Sequence, residues 1–333
     1  MKSKIVITDF ISEPLDHERR ILGDLADVTA LNAFHEDELT GRIEDADVIV
    51  LYHQLAITRK TIERLDKCRL IIRGGVGFDN VDRVAARERG IAVCNVPDYG
   101  TEDVADSAIG MTIALARGIH FLNSRLRRGE GAWHYSHAAP LWRLRGRTFG
   151  IVGIGRIGTA AALRAKALGM NVMFHDPHVP QGRDKSLGIT AAASLEELLT
   201  HSHVLSLHCP LTDETAHLIN RHTLALLPPG AILINTARGG IADPLAVLHA
   251  IEHGHLSAAG LDVLESEPPD ENDPLIKAWR DPHHPAHDRL ILNPHSAFYT
   301  EEGLTDMRIK SSENARRVLM GLPPWNVVNG SPE

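Results

Sequence analysis

The sequence predicts an α/β protein made of two doubly wound parallel-sheet domains. Short, uninterrupted apolar runs recur along the 333 residues, with helix-length spacers between them. Runs of this kind are typical of strands that are buried on both faces of a parallel sheet. They fall into two series that meet near Gly150, which indicates two α/β units. The first series is Ile5–Ile7, Val28–Leu31, Val48–Leu51, Leu70–Ile72 and Ile91–Cys94, and the second is Ile151–Val152, Val172–Phe174, Val204–Leu207, Ile232–Ile234, Gly260–Val263 and Leu290–Leu292.

One long helix is expected between the two series, from about Thr101 to Arg128. Acidic residues open this stretch and arginines close it before Gly129, an order that complements the helix dipole. Its apolar residues recur every three or four positions, as in a buried helical stripe. A further helix is expected over about 301–320, after the last strand. The apolar positions of the long helix are Val104, Ala108, Met111, Leu115, Ile119, Leu122 and Leu126.

Charge and composition disfavour several classes of function. The net charge is -8 and no run of five basic residues occurs, so nucleic acid is not an expected partner. No uncharged apolar stretch approaches the roughly 18 residues of a membrane helix, and the N-terminal apolar run is typical of a strand and not of a signal peptide. Cys68, Cys94 and Cys209 are odd in number and far apart, which fits the reducing cytoplasm. We therefore expect a cytoplasmic protein with no membrane partner.

The segment from Gly153 to Gly158 has the Gly-x-Gly-x-x-Gly pattern of a dinucleotide-binding turn. It follows the strand around Ile151 and opens an alanine-rich helix, and an acidic residue, Asp176, ends the next strand. The first glycine permits the tight turn, the second lets the pyrophosphate approach, and the third lets helix and strand pack. A carboxylate at position 176 accepts hydrogen bonds from ribose hydroxyls and repels a 2′-phosphate, so we expect NAD as the cofactor. A glycine-rich turn without a ligand is the alternative, which the strand–turn–helix context disfavours.

Three polar residues follow strands of the second series, where ligands bind in such sheets. They are Arg238, Glu267 and His295. Hydride transfer between a 2-hydroxy acid and its 2-keto acid needs a group that exchanges a proton with the oxygen, which suits histidine. It also needs a cation for the carboxylate, and the planar fork of arginine matches that group. Taken alone, an arginine or glutamate near a turn is more often a surface charge, and a histidine after Pro294 could cap a loop. The order and context of the three residues favour a site.

The segments that contain these residues resemble the motifs of the D-2-hydroxyacid dehydrogenase family, and the resemblance covers nearly the whole chain. It implies that Arg238 binds the substrate, that His295 is the general acid/base and that Glu267 orients His295. Glu265 is nearby, but Glu267 directly precedes Pro268 and holds the matching position. Glutamate instead of glutamine there argues against the related formate dehydrogenases. The segments are Asn235-Thr236-Ala237-Arg238-Gly239-Gly240, Asp262-Val263-Leu264-Glu265-Ser266-Glu267-Pro268-Pro269 and Asn293-Pro294-His295-Ser296.

Within this family, the chain is most similar to C-terminal-binding proteins and their bacterial relatives. Arg73–Asp82 and Gly90–Pro97 carry the likeness in the first half, and Ala161–Ala167 and Leu207–Cys209 carry it in the second. The resemblance implies that the glycine loop after Arg73 presents backbone N–H groups to the substrate carboxylate. Phe298 stands where animal C-terminal-binding proteins have a tryptophan, which alters the side-chain pocket. The expected substrate contacts are Arg73, Gly75, Val76, Gly77, Arg238 and Phe298, and the expected cofactor contacts are Gly153, Gly155, Arg156, Ile157, Gly158, Asp176, His208, Cys209, Pro210, Thr215, Thr236, Ala237, Arg238, Asp262 and His295.

Because the cofactor loop lies in the middle of the chain, the expected architecture is a Rossmann cofactor domain, residues 99–296, inserted into a flavodoxin-like substrate domain, residues 1–98 and 297–333. The resemblance also implies a homodimer through the cofactor domain, with the 101–128 helix at the interface. The polar stretch 270–288 contains His283, His284 and His287. We expect it to be a solvated loop and expect no metal, because no thiolate or second ligand group accompanies these histidines.

The expected activity is reversible hydride transfer between NADH and a small 2-keto acid, such as glyoxylate or hydroxypyruvate, giving the R-2-hydroxy acid. An NAD-sensing regulatory protein similar to the corepressors is one alternative, and the complete arginine–glutamate–histidine set argues against it. Phosphoglycerate dehydrogenase is another alternative. The sequence shows no appended regulatory domain after the last helix, but the family includes short forms, so this alternative stays open.

Overall fold

The computed structural model describes residues 2–330 and divides the chain into two compact units. The first unit contains the residues up to Gly100 and those from Tyr299 onward, and the second contains Thr101–Phe298. The middle of the chain thus forms one unit, and its two ends together form the other. The boundaries expected from the sequence lie after residues 98 and 296.

The first unit is built on a parallel sheet of five strands. Its strands are β1 (Ser3–Ile7), β2 (Ala26–Ala30), β3 (Val48–Leu51), β4 (Leu70–Arg73) and β5 (Ala92–Asn95), and its first helices are α1 (Asp16–Leu22), α2 (Arg59–Ile62) and α3 (Arg83–Glu88). The strand order is β2-β1-β3-β4-β5, and every residue of β3, β4 and β5 is buried. The winding of the sheet therefore reverses between β1 and β3, as in flavodoxin-like folds.

The second unit is built on a parallel sheet of seven strands. Its elements are α4 (Thr101–Arg117), α5 (Ile119–Arg127), β6 (Thr148–Val152), α6 (Arg156–Ala167), β7 (Asn171–His175), α7 (Arg183–Leu187), β8 (Thr190–Ala191), α8 (Leu195–His201), β9 (Val204–Leu207), α9 (Arg221–Leu224), β10 (Ala231–Asn235), α10 (Pro244–Glu252), β11 (Leu256–Leu261), α11 (Pro274–Arg280) and β12 (Leu290–Leu292). The strand order is β12-β11-β10-β9-β6-β7-β8, so the winding reverses between β6 and β9. Val204 and Leu205 belong to different core clusters, which shows that apolar cores cover both faces. The predicted fold class, with a Rossmann sheet inserted into a flavodoxin-like one, is confirmed.

The last helix, α12 (Glu301–Leu319), belongs to the first unit and packs on α1. It begins after Thr300, whose Oγ1 accepts a hydrogen bond from the N–H of Gly303 at 2.9 Å. The guanidinium of Arg308 donates to both oxygens of the buried Glu18 carboxylate, each at 2.7 Å. Within residues 2–330, no helix is both long and apolar enough to cross a membrane.

The single long helix expected over 101–128 is two helices. Gly118 lies between α4 and α5 with φ of 62°, a left-handed conformation that interrupts the helix. The predicted apolar stripe is buried at Met111 and Leu115, but Ile119 is 55% exposed and Leu126 is 37% exposed. The prediction that the stripe stays buried along its whole length is therefore wrong. The apolar period continues through Gly118, so it did not reveal the break.

Strand register aligns the carboxyl ends of the second sheet in one row. Val152 pairs with His175 on one side and with Leu207 on the other, and Asn235 pairs with Leu207 and Leu261. The residues directly after these strands therefore lie side by side at one edge. In spatial order they are Asp176, Gly153, His208, Thr236 and Asp262.

Candidate active site

The three glycines of the loop after β6 serve different purposes. A Cβ on Gly153, whose φ is 91°, would lie 2.7 Å from the backbone N of Cys209. A Cβ on Gly158 would lie 2.1 Å from the carbonyl O of Gly153. These two glycines let the turn close and let α6 pack on the sheet. A Cβ on Gly155, the residue before α6, would meet nothing within 4 Å, so the space there is open to a ligand.

Asp176 follows β7 and holds the glycine loop. One oxygen of its carboxylate accepts the N–H of Ile154 at 2.9 Å, and the other accepts the N–H of His178 at 3.0 Å. A carboxylate has about four acceptor positions, so Asp176 can hold the loop and bind hydroxyl groups at the same time. This capacity fits the ribose of NAD.

Two further features of this edge fit a dinucleotide. Thr236 directly follows β10, and its buried Oγ1 has no hydrogen-bond partner within residues 2–330. Buried polar atoms are nearly always bonded, so this hydroxyl fits a polar group of a ligand. The first N–H groups of α6 lie beside Gly155, where a helix N-terminus favours phosphate. Arg156 and Ile157 form the first turn of this helix, and Ala237 follows Thr236.

The loop after β9 adds two side chains that are neutral at pH 7. Burial lowers the pKa of His208 to about 4, and its Nε2 lies 2.9 Å from Oγ of Ser206. Burial raises the pKa of the Cys209 thiol to about 11. Thr215 donates from Oγ1 to the carbonyl O of Pro210 at 2.7 Å, which closes the loop. These residues suit contact with an uncharged part of a cofactor.

His295 and Glu267 form a direct pair. Nδ1 of His295 lies 2.7 Å from Oε2 of Glu267, and the other oxygen of Glu267 accepts the N–H of Leu264 at 2.8 Å. Because Nδ1 is engaged, Nε2 is the nitrogen that can exchange a proton with a ligand. Glu265 contacts a different histidine, His217, at 2.9 Å. The structure thus brings Glu267, and not Glu265, to His295.

Asp262 is buried beneath this pair and holds the loop that carries His295. Its carboxylate accepts the N–H of Ser296 at 2.9 Å and that of Ala297 at 3.0 Å, and its backbone O accepts the N–H of His295 at 2.8 Å. His295 has φ of 51°, which is uncommon for a residue with a side chain and needs such support. Burial raises the pKa of Asp262, although the N–H groups of Ala297 and Ser296 and the charge of His295 oppose that rise.

Arg238 lies in a turn that Asn235 closes. Oδ1 of Asn235 accepts the N–H of Ala237 at 3.0 Å, and its Nδ2 donates to the carbonyl O of Arg238 at 2.9 Å. Arg238 also donates from Nη1 to the carbonyl O of Ala237 at 2.8 Å. A Cβ on Gly239 would lie 1.9 Å from the carbonyl carbon of Leu264. The turn that contains Arg238 therefore packs directly on the loop that contains Leu264 and Glu267. Arg238, Glu267 and His295 therefore lie on adjoining loops of one unit.

In the first unit, the glycine loop after β4 offers fewer free N–H groups than expected. The N–H of Gly74 donates to Leu51 and that of Gly75 donates to Arg73, both at 2.8 Å. In the part of the chain that the structure describes, no hydrogen bond uses the N–H of Val76 or Gly77. Of the backbone N–H groups predicted to bind a carboxylate, only those of Val76 and Gly77 are therefore available among the described residues of this loop.

The conformation of this loop depends on Gly75. Its φ is 156°, and a Cβ there would lie 1.5 Å from Nη1 of Arg73. The Arg73 side chain is 5% exposed and fills the space that a larger residue at position 75 would need. Both residues are therefore parts of one packed turn.

Phe298 and the histidine-rich stretch complete the predicted set. Phe298 is buried, and its ring packs edge-on to that of His295 with centroids 6.1 Å apart. His284 contacts Glu252 at 3.2 Å, and Nδ1 of His287 lies 2.6 Å from the carbonyl O of Trp279. Among residues 2–330, no three His, Cys, Asp or Glu side chains are grouped so that they could hold a metal.

Two positioning residues were missed by sequence reasoning. Both residues lie in the motif that contains Arg238, and the motif alone does not predict a role for them. Asn235 closes the Arg238 turn, and Gly239 packs that turn on Leu264. The contact with Leu264 joins loops 25 residues apart in sequence, and no local pattern signals it.

Comparison with known proteins identifies the family of this chain. A family model described as D-isomer specific 2-hydroxyacid dehydrogenase, NAD binding domain, matches residues 109–297. D-3-phosphoglycerate dehydrogenase of Methanocaldococcus jannaschii is 38% identical over 327 residues, which cover 98% of this chain and 59% of that protein. C-terminal-binding protein 1 of Caenorhabditis elegans is 33% identical over 319 residues, which cover 94% of this chain and 43% of that protein. The chain thus spans about half the length of these curated relatives.

A solved structure is similar over its whole length. D-lactate dehydrogenase of Aquifex aeolicus, complexed with NAD and lactic acid, aligns with a TM-score of 0.87 and 28% identity, covering 98% of this chain and 99% of that one. The family model matches more than half of this chain, all of it within the seven-stranded unit. The chain belongs to the D-isomer specific 2-hydroxyacid dehydrogenase family, and its second unit carries the NAD binding domain.

Proposed function

We propose that the chain is an NAD-dependent dehydrogenase that interconverts a small 2-keto acid and its R-2-hydroxy acid. The 2.7 Å contact between Nδ1 of His295 and Oε2 of Glu267, on a loop that packs against the Arg238 turn, carries the proposal. A proton donor, a residue that orients it and a cation for the carboxylate are the groups that this reaction requires from a protein.

His295 exchanges the proton at the substrate oxygen. Glu267 accepts the hydrogen bond of Nδ1–H, which sets the tautomer, so Nε2 is the nitrogen that exchanges the proton. During reduction, the imidazolium gives the Nε2 proton to the carbonyl oxygen as negative charge develops there. During oxidation, neutral Nε2 accepts the proton of the hydroxyl. Bound NADH supplies the hydride that C2 receives.

Arg238 binds the substrate carboxylate and polarises the neighbouring carbonyl. The planar fork of its guanidinium matches a carboxylate and can bind both of its oxygens. In the first unit, the N–H groups of Val76 and Gly77 are donors that suit a carboxylate. The first unit thus acts as the substrate domain and the second as the cofactor domain.

The test is NADH oxidation by glyoxylate, hydroxypyruvate and pyruvate. The wild-type protein should turn over at least one of them, and His295→Ala should lower kcat by about two orders of magnitude or more. The affinity for NADH should change little in that variant. His217→Ala is the matched control, because it removes the other histidine that contacts a glutamate of the same loop; it should retain turnover. Lack of turnover with every acid, or a wild-type kcat in His295→Ala, would contradict the proposal.

The relative named C-terminal-binding protein 1 favours a second candidate, an NAD-dependent regulatory binding protein. Its test is capture of partner peptides with and without NADH. NADH-dependent capture by a chain that oxidises no NADH with any 2-keto acid would favour this candidate over the enzyme.

We also propose a homodimer that forms through the second unit. The family resemblance motivates this proposal, and Ile119, Trp133 and Trp142 of the second unit are 55%, 87% and 57% exposed, so a partner could bury large apolar side chains there. Sedimentation equilibrium should give twice the 36.5 kDa chain mass. Combined Trp133→Ser and Trp142→Ser changes should shift the protein toward monomer, and a monomeric wild type would refute the proposal.

A further inference from the structure

The two available N–H groups of the glycine loop, those of Val76 and Gly77, belong to consecutive trans peptide groups. The carbonyl O of Gly75 lies in the same peptide group as the N–H of Val76, and the carbonyl O of Val76 lies in the same group as the N–H of Gly77. Because a trans peptide is planar, its C=O and its N–H point in opposite directions. The groups that bind these two carbonyls therefore set the direction of both donors.

The carboxyl end of β5 binds both carbonyls. The N–H of Val96 donates to the carbonyl O of Gly75 at 3.0 Å. Nδ2 of Asn95 donates to the carbonyl O of Val76 at 2.7 Å. The backbone of one residue and the side chain of the residue before it thus hold two consecutive peptide groups. Both N–H groups consequently point away from β5, and successive N–H groups that point the same way are suited to bind an anion such as a carboxylate.

Asn95 is itself fixed by the elements around it. It is the last residue of β5, is 7% exposed and pairs with Arg73, the residue from which the glycine loop begins. Its N–H donates to the carbonyl O of Asn326 at 3.2 Å, and Cys94 before it forms an antiparallel bridge with Val327. The C-terminal segment therefore anchors the end of the strand, and the side-chain amide of Asn95 extends from a backbone with little freedom.

The peptide group between Val76 and Gly77 needs this side chain to keep its orientation. Its rotation changes mainly ψ of Val76 and φ of Gly77, and glycine adopts nearly every φ at low cost. In the part of the chain that the structure describes, no other hydrogen bond uses the carbonyl O of Val76. Without the amide of Asn95, the peptide group can turn over and direct its carbonyl O, in place of its N–H, toward the ligand. A carbonyl oxygen is an acceptor and repels a carboxylate.

We propose that Asn95 is a positioning residue, which holds the N–H of Gly77 toward the substrate carboxylate through its hydrogen bond to Val76. This assignment rests on the dehydrogenase function proposed above, and it names the residue that prepares the glycine loop for its ligand. The amide of Asn95 acts on the loop and not on the reacting atoms. Its effect is therefore on the binding of the carboxylate, separate from the proton transfer at His295.

Replacement of Asn95 by leucine tests this role, because leucine has a similar size and shape and cannot donate a hydrogen bond. The substrate is whichever of glyoxylate, hydroxypyruvate and pyruvate the wild type turns over best. Its KM should rise by about tenfold or more, the value of one hydrogen bond to a charged group. The kcat should stay within about threefold of wild type, because the loop donors bind substrate and transition state alike. The Ki of oxamate, which carries the same carboxylate and is not reduced, should rise by the same factor.

Two further variants separate positioning from general stability. In Asn95→Asp the side chain keeps its shape but, ionised at pH 8, has no donor, so KM should rise there as well. Asn329→Ala is the matched control. Oδ1 of Asn329 accepts the N–H of Val93 at 2.9 Å, and its Nδ2 donates to the carbonyl O of Ile91 at 2.9 Å, so the change removes two hydrogen bonds at the other end of β5. It should lower the free energy of urea unfolding and retain the wild-type KM.

The outcomes distinguish the role of Asn95 from the proposed function. A rise in KM and in the oxamate Ki in both Asn95 variants, with kcat and the KM of Asn329→Ala near wild type, supports the proposal. A wild-type KM in Asn95→Leu or Asn95→Asp overturns it and leaves the dehydrogenase intact. An equal rise of KM in Asn329→Ala, or a fall in kcat at unchanged KM in Asn95→Leu, also overturns it. No turnover of any 2-keto acid by the wild type overturns the proposed function itself.

Discussion

Replacement of Asp262 by alanine tests whether one buried carboxylate holds the loop that carries His295. The side chain is 1% exposed and accepts the N–H groups of Ser296 and Ala297. Its removal leaves two buried donors without an acceptor, each at a cost of about 1–3 kcal/mol, so the free energy of unfolding should fall by about 2–6 kcal/mol. Because His295 sits at φ of 51°, its loop should relax and kcat should fall by about tenfold or more.

Asp262→Asn is the matched comparison. Burial raises the pKa of Asp262 above its usual value of 3.8, so its stabilising contribution is greatest below pH 3.8 and is lost as pH rises through the folded-state pKa. Asparagine keeps one acceptor oxygen and has no charge to desolvate, so it should recover most of the lost stability at pH 7. Urea unfolding and steady-state NADH oxidation measure both effects. An alanine variant that unfolds within about 0.5 kcal/mol of wild type, with unchanged kcat, would refute the reasoning.

Three further predictions concern the cofactor edge. Asp176→Ser should reduce the preference for NADH over NADPH, measured as the ratio of kcat/KM values, and an unchanged ratio would contradict its ribose role. Gly155→Ala should weaken NADH binding by about tenfold or more with little loss of stability. Gly158→Ala, whose Cβ would lie 2.1 Å from the O of Gly153, should lower the free energy of unfolding by about 1–3 kcal/mol. Equal effects of the two changes on unfolding would refute the different roles assigned to these glycines. Because burial lowers the pKa of His208 to about 4, the neutral imidazole contributes to the free energy of unfolding above pH 6.5, and this contribution is lost as the pH falls toward 4. The loss should reach about 2 kcal/mol at pH 5. His208→Asn should lack that component when unfolding is measured across the range.

The sequence was most informative where burial is uniform. Strands such as Val48–Leu51 and Val204–Leu207 match their apolar runs residue for residue, because both faces of a parallel sheet are covered. β8 was not predicted, since Thr190 and Ala191 are exposed and form only two residues of pairing. The break at Gly118 was also missed, because a glycine within a helical period leaves the apolar pattern intact.

The sequence predicts which strand ends carry the residues of the candidate site. It predicts fewer of the contacts between those residues. Motif order distinguished Glu267 from Glu265, and the 2.7 Å contact with His295 agrees with that choice. The use of the Gly74 and Gly75 N–H groups within the protein could not be read from the sequence, because it depends on which carbonyls the fold brings near.

Glu265 and Glu267 both lie on the loop after β11 and each contacts a histidine from another loop, but the two pairs differ in burial. The side chains of His217 and Glu265 are 48% and 50% exposed, and a pair so open to water contributes little. The side chains of His295 and Glu267 are 19% and 34% exposed, and the backbone around His295 is tied to the buried Asp262. A hydrogen bond in this drier, fixed setting holds one tautomer in one orientation, which proton transfer to a bound substrate requires. This difference is why the His217→Ala control should retain turnover, whereas His295→Ala should lower kcat by about two orders of magnitude or more.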